Sequence, residues 1–138
     1  MAYTTNSGQE KNWNAVVVNS KSSEIQFVAV DHNIIIKDSY GDIQSQCDGI
    51  LYSAKEWLAF VELKDIGKRP WILPAVGQLK STISFFKANH NYKQFKQRFA
   101  YAANKQHPKF QFSKKELMLE FFRETKFRLL IQKEITVK

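Results

Sequence analysis

Two charged residues close an otherwise apolar stretch, Trp57-Leu58-Ala59-Phe60-Val61-Glu62-Leu63-Lys64, and they are the part of this sequence best suited to chemistry. Read as a strand, the stretch alternates its side chains across a sheet, so Glu62 and Lys64 share a face. A carboxylate and an ammonium on a sheet face cost desolvation unless they serve each other or a ligand. A third group, Asp48, lies in Cys47-Asp48-Gly49-Ile50-Leu51-Tyr52. A hairpin through residues 53–56 would set it near the strand end that carries Glu62. Converging carboxylates suit a hard divalent cation, which takes oxygen ligands and keeps several waters. Such a cation polarises a phosphate and lowers the pKa of an attacking water. An ammonium beside it positions that water or stabilises charge growing on the phosphate. A bare Glu-x-Lys is also what any solvated ion pair at a strand end looks like, so the reading depends on the elements around it.

Those elements follow from apolar periodicity. Residues 1–12 are polar and read as a loose tail, and residues 13–138 as a single domain. Ala15–Val18 is a short apolar run that periodicity alone leaves open between strand and helix edge. Ile25–Val30 and Asn33–Ile36 are β-rich and flank a turn-like Asp31-His32-Asn33; strands over Gln46–Tyr52 and Trp57–Lys64 follow. Ile72, Val76, Leu79, Ile83 and Phe86 then recur at three- and four-residue spacing, one face of a helix that ends near Asn89. Pro74 fits in its first turn. Phe95–Ala103 reads as a strand. Ser113-Lys114-Lys115-Glu116 is a capping box opening a helix to about Glu124, and Phe127–Val137 reads as a closing strand. The expected fold is α/β: a mixed central sheet, built from an antiparallel meander plus crossover strands, with flanking helices.

In that order of elements, Cys47-Asp48-Gly49-Ile50-Leu51, Phe60-Val61-Glu62-Leu63-Lys64 and the helix carrying Gln78-Leu79-Lys80 resemble the core of the PD-(D/E)xK, or restriction-endonuclease-like, nucleases. The match spans about residues 25–104. Cys47 stands where a proline often precedes the first acid, and Thr82 stands where some exonuclease members carry Tyr four residues after the Gln. The resemblance implies an αβββαβ core and hydrolysis of phosphodiester bonds in nucleic acid, DNA rather than RNA. It implies Asp48, Glu62, Lys64 and Gln78 as catalytic residues. Mg²⁺ or Mn²⁺ would be held by Asp48, Glu62 and the Leu63 carbonyl. Many members add an acid from an opening helix, for which this chain offers Glu24 or Glu10. A core of this size cuts one strand at a time, so a homodimer or a partner subunit is expected on duplex substrates. The alternative is a nuclease-fold protein without turnover, an immunity-type or nucleic-acid-binding accessory protein.

Charge distribution bears on the partner. The 138 residues carry a net +8, but residues 1–63 hold −4 and residues 64–138 hold +12. Such asymmetry is the footprint of a polyanion-binding surface, or of a basic soluble surface with no partner. Lys68, Arg69, Lys80, Lys87, Lys96 and Arg98 are the expected nucleic-acid contacts, with the loop at 64–69 as the segment gripping the backbone. The aromatics Tyr92, Phe95, Phe99 and Tyr101, interleaved with these cations, read as core more readily than as stacking platforms. His32, His90 and His107 lack metal-ligand spacing. No apolar run reaches the ~18 residues of a membrane span, and the N-terminal residues do not read as a secretory signal. The lone Cys47 excludes an internal disulfide and reads as a small buried hydrophobe in a reducing, cytoplasmic setting.

Overall fold

The computed structural model describes residues 2–3, 14–30, 34–64, 70–104 and 114–137. Its centre is a five-stranded sheet of β3 (Gln26–Ala29), β4 (Gly49–Ser53), β5 (Trp57–Leu63), β6 (Gln97–Ala103) and β7 (Arg128–Ile131), in that spatial order. β3, β4 and β5 are antiparallel neighbours, whereas β6 and β7 run parallel to β5. The change of direction follows from the connections. A short turn returns β4 to β5, while α1 (Ile72–Asn89) and α2 (Lys115–Thr125) lie between the later strands and carry the chain back before each one starts. A smaller, all-parallel sheet of β1 (Ala2–Tyr3), β2 (Ala15–Val18) and β8 (Glu134–Thr136) completes the fold.

Side-chain parity sorts the core into two layers. On β5, Leu58 and Phe60 face α1 and α2 and pack with Ala75, Val76, Leu79, Ile83, Phe121 and Phe127. Trp57, Ala59 and Val61 face the other way, onto Ala15, Val17, Ile135 and Val137 around the small sheet. β5 is thus covered on both faces, which is why it reads as a continuous apolar run. Glu62 has the parity of Leu58 and Phe60, so it belongs to the helix-covered face. There it is only 2% exposed.

Several expectations change in detail. Asn33–Ile36 forms no named strand: residues 34–47 make an excursion stitched by a single bridge, Lys37 to Ile43. Asp38 stabilises its turn by accepting from the Tyr40 and Asp42 amides at 2.9 and 3.0 Å. The opening helix implied by the resemblance has no counterpart among the described residues, where the strand β2 comes before the meander. Phe127–Val137 is two strands in two different sheets. The N-cap of α2 is Lys114, with no side-chain cap bond, and Ser113 lies outside the described residues. Of the expected tail, Ala2–Tyr3 pairs with β2 and the rest lies outside them. Phe95, expected to open a strand over Phe95–Ala103, precedes β6 and packs in the helix-side layer, whereas Phe99 packs in the other. Among the described residues, no helix is long and apolar enough to cross a membrane.

Candidate active site

Asp48 arrives at the sheet one residue before β4 begins, at the end where β5 finishes. Gly49 pairs with Val61, yet the Asp48 N–H also reaches the Val61 carbonyl, at 3.0 Å. The ladder therefore slips by one residue at Asp48, a bulge-like offset of the kind that re-aims a side chain. The next amide, that of Leu63, is taken by the Asp48 carboxylate: Leu63 N–H donates to Oδ2 at 2.6 Å. Gly49 lets β3 lie close against this end of β4. A Cβ there would meet the Phe27 ring and, at 3.2 Å, the Val28 carbonyl.

The Asp48 carboxyl is also the hydrogen-bond neighbour of Glu62. Lys64 Nζ lies 3.3 Å from Glu62 Oε2, with the lysine side chain 27% exposed. The three side chains expected to converge do converge, on the helix-covered face at the carboxyl end of β5. Burial, then the hydrogen bond and like charge of Asp48, push the Glu62 carboxyl up to about 8, against the opposing pull of Lys64. Glu62 therefore keeps its proton near neutral pH. The donor set would suit a divalent cation, which prefers oxygen ligands. Asp48 and Glu62 supply carboxylate oxygens. The Leu63 carbonyl lies on the same strand edge as its N–H, the edge facing Asp48. Among the described residues, no three His, Cys, Asp or Glu side chains cluster to hold a metal by themselves. The site is thus two carboxylates plus backbone, the arrangement Mg²⁺ tolerates because it retains waters.

Helix α1 fixes the strand that delivers Asp48. Thr82 is 2% exposed, and its Oγ1 accepts the Cys47 N–H at 2.8 Å while donating to the Gln78 carbonyl at 2.9 Å. Gln78 Nε2 reaches the Gln46 carbonyl at 3.4 Å, and Gln78 Oε1 is buried without a hydrogen-bond partner among the described residues. Gln78 is thus placed on the approach to Asp48, and Thr82 is a positioning residue that sequence alone did not reveal. Asn104 was missed too. It follows Ala103, the partner of Leu63, at the level of Lys64 on the same face, and is 2% exposed. Thr82 is a polar residue inside an apolar pattern and Asn104 directly ends one, which was the available signal. Cys47 is fully buried and its thiol is pushed up to about 12, chiefly by burial, so it is no nucleophile.

The other expected residues lie elsewhere. Glu24 precedes β3, whose Gln26 pairs with Tyr52, so Glu24 is at the opposite end of the sheet from Asp48 and adds no third acid; Glu10 lies outside the described residues. Lys80 pairs with Glu124 at 2.9 Å. Lys87 donates to the Thr125 carbonyl at 3.1 Å and lies over the Tyr92 ring. Both tie α1 to the end of α2. Lys96 pairs with Glu56 at 2.9 Å, and Arg98 lies over Tyr92, 5.4 Å from its centroid. Gln97 pairs with Trp57 and Ala102 with Glu62. Lys96 and Arg98 therefore sit at the far end of the sheet, Arg98 about 13 Å along the strands from Glu62. Lys68 and Arg69 lie outside the described residues.

Comparison of the chain with protein-family models, with curated proteins and with solved structures finds no match in any of the three.

Proposed function

We propose that Asp48, Glu62 and Lys64 form a Mg²⁺- or Mn²⁺-dependent phosphodiesterase site of the PD-(D/E)xK kind, acting on nucleic acid and on DNA in preference to RNA. The observation that carries this reading is the contact between two carboxyls, one of them buried and held protonated to about pH 8, beside a lysine at a strand end. Structural ion pairs do not need a second acid. A cation site does.

In this reading the metal, when bound, supplies Lewis acidity toward the phosphate and a more acidic water. The chain's own groups do the rest. Asp48, oriented by the Leu63 N–H, and Glu62 present oxygens on one side. Lys64, partly exposed beside Glu62, would offer its ammonium to the phosphate oxygens. Gln78, its Oε1 unpartnered, orients water or substrate from α1. The resemblance in the motifs and the antiparallel-then-parallel strand order support the reading, as does the +12 charge of residues 64–138.

The test is cleavage of labelled DNA with Mg²⁺. Glu62→Ala and Lys64→Ala should each lose at least ~100-fold in rate while keeping the far-UV spectrum of the parent. Robust cleavage by both would remove the assignment. A second reading, a nuclease-fold protein that binds without turnover, is favoured by the 2% exposure of Glu62. It predicts no saturable Mg²⁺ or Mn²⁺ binding in a calorimetric titration, whereas the first predicts binding that Asp48→Ala removes.

A further inference from the structure

The end of the sheet away from the carboxylates has a built feature of its own. β6 and β7 are parallel, and Phe99 pairs with Arg128, so both strands start at this end. α2 also finishes here. Its C-cap, Lys126, takes a left-handed conformation (φ 67°) that turns the chain straight into β7. These three termini bring Lys96, Arg98, Lys126 and Arg128 around one cleft of about 270 Å³, with Phe122 in its wall. Phe122 is 46% exposed. Among the described residues, Glu56 on Lys96 is the single carboxylate paired with any of the four cations. Lys126 Nζ caps the Arg123 carbonyl at 3.1 Å, and Arg98 rests on Tyr92.

Glu56, Tyr92 and the Arg123 carbonyl each engage one of these cations, yet four like charges gathered in one cleft repel, and the ring in its wall stays in water. They suit a partner that combines repeated anions with flat apolar rings. Guanidinium groups take phosphates in bidentate fashion, and an exposed aromatic among cations stacks on unpaired bases. We propose that this cleft binds a single-stranded nucleic-acid segment, through phosphates at Arg98, Arg128, Lys96 and Lys126 and a base on Phe122. It lies about 13 Å along the sheet from Glu62 and uses neither Asp48, Glu62 nor metal. The inference therefore stands or falls independently of the carboxylate site.

The experiment is fluorescence anisotropy of a labelled oligo(dT) of about twelve nucleotides, titrated in EDTA at several salt concentrations. Arg98→Glu/Arg128→Glu should weaken binding at least tenfold and flatten the log–log salt dependence by about 1.4, the value for two lost phosphate contacts on a single strand. Arg98→Gln/Arg128→Gln loses the same two contacts and should flatten the dependence equally with a smaller loss of affinity, and it serves if the reversal disturbs folding as read by thermal melting. Phe122→Ala should weaken binding about five- to a hundredfold with the salt dependence intact. Asp48→Ala and Glu62→Ala should bind as the parent does. Oligonucleotide binding indifferent to both the Arg98/Arg128 and Phe122 changes would overturn the proposal. So would a parent protein that ignores the oligonucleotide but binds vesicles rich in anionic lipid through Leu119 and Phe122.

Discussion

The two ends of one sheet hold charge in opposite ways. At the carboxyl end of β5, Asp48 and Glu62 are brought together on a covered face, with one lysine to balance them and a backbone amide holding Asp48. At the other end, Lys96, Arg98, Lys126 and Arg128 stand around an open cleft with little carboxylate to answer them. The first arrangement stores electrostatic cost inside the protein, where a ligand of opposite charge relieves it at short range. The second leaves the cost in solvent, where salt screens it and a polyanion can approach from a distance. Sites that fix one ion and surfaces that gather a chain differ in this way. Two of the expected cations, Lys96 and Arg98, lie at this end, too far along the strands to meet a phosphate at the carboxylates, so the two ends serve separate proposals.

The sharpest way to break this contrast is through pH. Without metal, the Glu62 carboxyl holds its proton to about pH 8 in the folded chain but only to its ordinary 4.5 when unfolded. The folded state thus binds the extra proton between those values, and stability falls as pH rises through that window. Glu62→Gln removes the loss. By urea denaturation in EDTA, the variant should exceed the parent near pH 9 by on the order of 3 kcal/mol, with the two converging toward pH 4. Parent stability that instead rises from pH 5 to 8 would show that Glu62 is not held protonated. A smaller effect is expected at Thr82. Thr82→Val leaves the Cys47 N–H without its acceptor inside the protein, at about 1–3 kcal/mol, and loosens the strand that delivers Asp48. Thr82→Ser should restore both stability and Mg²⁺ affinity; failure of the serine to rescue would assign the loss to packing. The smallest effect belongs to the basic end. Glu56→Ala removes the exposed pair with Lys96 and should change stability by less than about 1 kcal/mol, while strengthening oligonucleotide binding. A larger loss of stability would mean that this end, too, is built for the fold.

Much of the scaffold was legible because apolar spacing is set by which face is covered. The α1 stripe from Ile72 to Phe86 meets the sheet as its periodicity requires, and the apolar run of β5 reflects cover on both faces. Glu62 and Lys64 share a face because strand side chains alternate. What spacing could not carry was pairing between distant segments. Glu134–Thr136 continues the apolar pattern of Arg128–Ile131 but pairs with β2 in another sheet, since both segments offer the same local signal. Thr82 looked like a departure from a family pattern; only the approach of residue 47 shows that its hydroxyl has a partner.

The sequence by itself therefore determined the two helices, the strands β3 to β6 between and before them, and the placing of Glu62 beside Lys64, because these depend on local geometry. The tertiary structure alone decided that Asp48 slips its ladder by one residue to reach Leu63 and Glu62, and that Glu62 is covered enough to keep a proton. It alone put Arg98 and Arg128 in one cleft at the far end. Each of these depends on a register or a parallel crossover between segments far apart in the chain, and a one-residue change in register would send the same side chains elsewhere.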